Sequence, residues 1–144
     1  MLSLRKLSQL SSREAWLLVQ AALLLPAVRL ALKFVTVAQV QNLVERALRN
    51  PQALKISTPA TARIVRIAAR RGLYHFKCLD QSLVLGWLLR RQGIDARIVF
   101  GARKGDDSME AHAWVEVDRV AISDDEGEHR TFSTLGEFSA SKVN

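Results

Sequence analysis

Cysteine is nearly absent from this chain: Cys78 is the only one in 144 residues. An internal disulfide is therefore impossible, and zinc sites built from several cysteines are excluded. A reducing, cytoplasmic compartment becomes the default, and one thiol is left to be explained. Acidic residues are scarce in the first half, where residues 1–77 carry 13 basic and 2 acidic side chains, against 8 and 12 in residues 78–144. The two halves are expected to meet different partners. Long uncharged runs are missing as well, the longest being Ala15 to Val28 with 14 residues. That is short of the roughly 18 to 20 needed to cross a bilayer, so a buried helix is expected there. A signal peptide fits poorly, because Glu14 and Gln20 interrupt the apolar segment, no small-x-small cleavage site follows and Arg29 stands where the polar cleavage region would begin. Peripheral membrane contact through this basic, apolar segment stays open.

What is present is ordinary globular material, 49% apolar and 24% charged, in a length that suits one domain with one core. No internal repeat is visible. We read residues 1–57 as an N-terminal helical region and 58–144 as the core of a single domain, 1–144. Ser11-Ser12-Arg13-Glu14 has the form of a capping box, and the apolar pattern after it runs to about Val37, with Pro26 expected to kink or divide the helix. Val37, Val40, Val44 and Leu48 form a second helical stripe ending near Asn50-Pro51. Thr58 is the expected N-cap of a third helix with Pro59 at its first position; Arg63, Arg66, Arg70 and Arg71 make it basic, and Gly72 ends it.

From Cys78 to Arg91 apolar residues are so dense that the helix must be buried on most sides, with Gly93 just past its end. Strand periodicity follows from Ile94 to Phe100, then Lys104 to Asp107 reads as a loop. Ala111 to Val117 and Val120 to Asp124 read as further strands, Thr131-Phe132 as a short one and Ser139 to Asn144 as a frayed tail. The expected class is α+β, with the N-terminal helices and a central Cys-bearing helix packed against an antiparallel sheet of three or four strands.

Thiol chemistry needs a nucleophile, a base and an orienting acid, and these occur in the order Cys78, His112, Asp124. A cysteine at a helix start meets free backbone N–H groups and the positive end of the helix dipole, which stabilise a thiolate and serve an oxyanion. A strand histidine can take the thiol proton and later protonate the leaving amine. If Val117-Asp118-Arg119 is a three-residue loop, Asp124 stands opposite His112. A two-residue turn at Asp118-Arg119 brings Asp125 there instead. Asp118 is a rival third member that also reads as an ordinary hairpin-tip residue. Tyr74, His75 and Trp114 are candidates for lining the cleft or assisting the oxyanion. Trp114 and Trp87 also read as core aromatics, Glu116 as a solvent-facing strand residue, Cys78 as a small core residue and His112 as a satisfied half-buried histidine.

Taken together, Cys78-Leu79-Asp80-Gln81-Ser82-Leu83, Leu88 through Gly101 with its Arg91-Gln92-Gly93-Ile94-Asp95-Ala96-Arg97 core, and Ala111-His112-Ala113-Trp114-Val115-Glu116 resemble the transglutaminase-like cysteine peptidases of lasso-peptide biosynthesis. The resemblance is strong over roughly residues 60 to 135 and extends to the helical segment from Ser11 to Arg49. It implies a papain-like triad of Cys78 as nucleophile, His112 as base and Asp124 as orienter, with no metal or organic cofactor. It implies removal of the leader from a ribosomally made precursor peptide, whose freed amine a separate ATP-dependent cyclase then joins to an acidic side chain. A small winged-helix-like protein that holds the leader is the expected partner, and the arginine row is a candidate docking surface for it. One departure from the family pattern is the hairpin tip, where Arg119 replaces the usual glycine of an Asp-Gly pair. Three other readings compete. An idle transglutaminase-like scaffold and an amide-crosslinking acyl transferase share the same residues. A nucleic-acid module accounts for the high pI, but no recognised motif accompanies it and the acidic second half argues against it.

Overall fold

The computed structural model describes residues 9–47, 55–72, 74–122 and 127–138. Helix α1, Ser12–Ala31, starts at Ser11 with the expected capping box: the Ser11 hydroxyl accepts from the Glu14 N–H, and the Glu14 carboxylate accepts from the Ser11 N–H at 2.9 Å. These bonds from Ser11, with Arg63 nearby, hold the Glu14 carboxyl below its usual range. Pro26 does not divide α1. It removes one N–H bond, to the carbonyl of Ala22, and both residues are exposed, so water can take the orphan oxygen. The helix stops instead at Ala31 in a turn, short of the expected Val37. Nor is α1 the buried helix expected from its composition: Leu17, Ala21 and Leu25 are buried, while Trp16, Val19, Leu23 and Leu30 face outward.

Helix α2, Val37–Ala47, contributes Val40 to the core. Helix α3, Thr58–Arg71, is capped by Ser57 and not by Thr58, because the Ser57 hydroxyl is the one that reaches the Ala60 N–H. Pro59 thus takes the second position, where its missing N–H is still one of the helix's unpaired donors. Helix α4, Cys78–Arg91, is the hub: Leu83, Val84, Leu85, Leu88 and Leu89 are all at most 2% exposed. Packed round it are Leu17, Ala21 and Leu25 of α1, Val40 of α2, Ile64 and Val65 of α3, and Ile98 and Val115 of the sheet. Burial of this size in one continuous cluster is the main stabilising term. At the far end of α4 the Gln92 amide joins two segments, accepting from the Ile56 N–H at 3.0 Å and donating to the Thr61 hydroxyl at 3.3 Å.

The sheet is antiparallel in the order β3-β2-β1-β4, from β1 Ala96–Lys104, β2 Met109–Val117, β3 Val120–Ala121 and β4 Ser133–Phe138. The fourth strand lies beyond the expected Thr131-Phe132, since Glu128–Thr131 forms a 3-10 turn after Gly127, whose φ is 68°. The β2–β3 hairpin corrects the preferred register. Val117 pairs with Val120 and Glu116 with Ala121, so the connection is the two-residue turn Asp118-Arg119 and not a three-residue loop. Both turn residues have positive φ, 51° and 65°, the conformation whose twist matches that of the flanking strands.

Candidate active site

Cys78 opens α4 and is half-buried, as the sequence pattern requires. The first intrahelical bond runs from the Gln81 N–H to the Lys77 carbonyl, so the N–H groups of Cys78 and Leu79 precede the bonded ladder and sit beside the thiol. Two side chains of the same turn fix its path. Gln81 donates to the Phe76 carbonyl at 3.0 Å, and Asp80 accepts from the Lys77 N–H at 2.9 Å. Asp80 is 3% exposed and would place an uncompensated negative charge two residues from the thiol. Arg29 of α1 neutralises it through a 3.0 Å ion pair. Sequence reading missed both members. The available signals were an acid at the third helical position and a single arginine inside an apolar stretch.

Backbone directions explain how α4 meets β2. The Ile122 N–H donates to the Val115 carbonyl, so the odd-numbered residues of β2 aim their backbone groups toward β3. β3 ends before it reaches Ala113. The Ala113 carbonyl is instead taken at 3.0 Å by the buried hydroxyl of Ser82, one helical turn after Cys78. The start of α4 therefore caps the edge of β2 at the residue next to His112.

His112 alternates with Ala113 and Val115, so its ring lies on the face of β2 opposite the main core. That face has its own cover. The imidazole stacks on Phe132 at 5.1 Å and on Trp114 at 6.0 Å, and Trp114 meets His129 at 5.8 Å. Trp114 is 2% exposed and donates its indole N–H to Glu116 at 2.9 Å, while Glu116 also faces Arg97 at 3.8 Å. Glu116 is thus half-buried and paired, not simply solvent-facing. Gly101, cross-strand from His112, admits this packing, since a Cβ there would stand 2.8 Å from Phe132 and 2.9 Å from Trp114. The roles of Phe132 and His129 carried no periodic signal in the sequence, because they belong to an irregular turn.

The remaining candidates divide. Asp118 is at the exposed hairpin tip, six residues and roughly 20 Å along the strand from His112, too far to orient the imidazole. Asp124 and Asp125 lie outside the described residues, as do Leu48, Asn50-Pro51 and the tail from Ser139. His75 and Tyr74 are exposed. Tyr74, Phe76, Gly72 and Arg71 line one side of an apolar groove of about 370 Å³, and Leu18, Ala22 and Pro26 of α1 line the other. Phe76, two residues before Cys78, stands in its wall. Of the arginine row, Arg63 pairs with Glu14 at 3.4 Å, Arg66 is half-buried and Arg70 is exposed. Cys78 and His112 make no hydrogen bond to each other among the described residues, and none of those residues forms a metal-binding cluster of His, Cys, Asp and Glu.

A thiol at a helix start, a central helix seated on the edge of an antiparallel strand and a histidine on that strand form the framework of one known family, and its profile, the transglutaminase-like superfamily, matches residues 21–137. The chain belongs to the transglutaminase-like superfamily. Neither a curated protein nor a solved structure matches it. Members of this superfamily are commonly cysteine peptidases or acyl transferases.

Proposed function

We propose that this transglutaminase-like protein is a cysteine endopeptidase that removes the leader from a lasso-peptide precursor. The reading is supported above all by Cys78 opening a helix whose next turn is bonded, through Ser82, to the residue following His112. In this reading the start of α4 meets His112 around the edge of β2 that Ser82 caps. His112 takes the thiol proton there, the thiolate attacks the carbonyl at the leader–core junction, and the N–H groups at the start of α4 receive the oxyanion. The acyl-enzyme is then hydrolysed, with His112 returning the proton to the leaving amine in the first half of the cycle and activating water in the second. Asp124 is our choice as orienter on the family resemblance alone, since the two-residue turn at Asp118-Arg119 withdraws the register argument for it and makes Asp125 the rival. The apolar groove beside Phe76 suits side chains of the substrate near the scissile bond. A separate leader-binding protein docks on the basic half, with Arg70 and its neighbours as contacts, and the ATP-dependent cyclase consumes the product; the reaction takes place in the reducing cytoplasm without metal or organic cofactor.

Mass spectrometry of the precursor peptide encoded beside this chain, incubated with the enzyme with and without the leader-binding protein, tests the reading. Loss of the leader with wild type and an intact precursor with Cys78→Ala are expected. Equal cleavage by Cys78→Ala would refute a thiol nucleophile. A folded wild type that forms no acyl-enzyme, with a thiol inert to iodoacetamide, would favour the idle scaffold.

A further inference from the structure

Four large apolar side chains lie exposed on α1: Trp16 at 54%, Val19 at 47%, Leu23 at 68% and Leu30 at 58%, with Phe34 at 81% just past its end. Their spacings of three, four and seven residues place them on one stripe along the helix. Apart from the Trp16 indole these five side chains carry no hydrogen-bonding group, aromatic residues stand at both ends of the row, and the helix that bears it is about 30 Å long. Its opposite face is committed. Leu17, Ala21 and Leu25 are in the main core and Arg29 is paired with Asp80, so the helix cannot turn to cross a bilayer without dismantling the fold. Yet an 18-residue window of α1 has a mean hydropathy of 1.5 with only 17% of it buried inside the protein. Such a surface calls for a cover.

Charge indicates which cover. Arg13 and Lys33, at the two ends of the stripe, are exposed cations. Glu14, the acid nearest the stripe, is turned toward Ser11 and Arg63. Residues 1–77 as a whole carry 13 basic and 2 acidic side chains. A protein partner would be expected to meet a polar rim, whereas here the apolar stripe ends in cations; α1 is apolar on both faces, one held by the protein core and the other left for a lipid interface to cover. We propose that α1 is a docking surface for an anionic lipid bilayer, lying in the plane of the membrane with Trp16, Leu23, Leu30 and Phe34 at the headgroup–acyl boundary and Arg13 and Lys33 among the phosphates. This assignment is independent of the peptidase reading.

Sedimentation of the full chain with vesicles tests it, using phosphatidylglycerol and phosphatidylcholine in equal parts against phosphatidylcholine alone. Wild type is expected to sediment with the anionic vesicles, to bind the neutral ones at least tenfold more weakly, and to be released as salt rises. Brominated acyl chains should quench a component of the fluorescence that is missing in Trp16→Phe. The double variant Leu23→Glu with Leu30→Glu, altered only at exposed positions, should keep its circular dichroism spectrum and lose at least tenfold in binding. Equal sedimentation of the folded double variant, or none of wild type with anionic vesicles, overturns the proposal. A vesicle-independent dimer that the double variant abolishes also overturns it, and assigns the stripe to a second copy.

Discussion

Ser82 holds the carbonyl of Ala113 at 3.0 Å, so the helix that bears the thiol and the strand that bears the imidazole are joined by a buried hydrogen bond one turn from Cys78. Removing the hydroxyl in Ser82→Ala leaves that strand carbonyl without its partner in a dry site. We expect a loss of about 1–3 kcal/mol in urea unfolding. Turnover should fall further than stability accounts for, since the relative position of the two elements sets the reacting geometry. Unchanged turnover in the folded variant would show that this joint does not set the geometry.

The pair formed by Arg29 and Asp80 links α1 to the first turn of α4. The arginine side chain is 38% exposed and the carboxylate 4%, so the cost of breaking the pair falls mainly on the acid. Arg29→Met should destabilise the fold by about 2 kcal/mol, below the range for fully buried pairs because solvent screens one partner. It should also slow alkylation of Cys78 at neutral pH, by leaving a negative charge beside the thiolate. Asp80→Asn in the same background should restore part of both; additive losses in a double-mutant cycle would refute the coupling.

At the hairpin tip Arg119 occupies a left-handed conformation, φ 65°, that suits glycine. Arg119→Gly should therefore stabilise the protein by about 1 kcal/mol, read as a higher urea midpoint at constant slope. A lower midpoint would mean that the tip is held by the arginine side chain and not merely strained by it.

Gly101 is the reverse case, a position where space and not backbone angle is limiting. A methyl group at Gly101→Ala would meet Phe132 and Trp114 at under 3 Å. The expected cost is about 1–3 kcal/mol of overpacking. The near-ultraviolet spectrum of Trp114 and the imidazole resonances of His112 should shift, while far-ultraviolet helix content stays constant. Unshifted His112 resonances would show that its cover does not rest on this contact.

Much of this arrangement was legible in the sequence because it is local. The capping box at Ser11, the Cys78 helix with its dense leucines and the strand alternation through His112 are all local signals, and the structure bears out each of them. Non-local facts left no such trace. Whether Asp118-Arg119 made a two- or three-residue connection was decided by strand twist, and Arg119 gave no glycine signal for it. The Arg29–Asp80 pair joins residues 51 apart, and the cover of His112 comes from a 3-10 turn without periodicity. The outward face of α1 was equally hidden, since composition records how apolar a helix is but not how many of its sides find neighbours.

The strand order gives the imidazole's cover a separate fate from the rest of the molecule. Phe132 and His129 belong to the turn that leads into β4, and β4 is an edge strand joined to β1 alone, with its register broken between Phe100 and Gly101. An edge strand with one neighbour is held by fewer contacts than the buried α4 core, so the two faces of the sheet rest on different parts of the fold. The cover of His112 therefore depends on the pairing of β4 with β1, while the position of Cys78 depends on the α4 core.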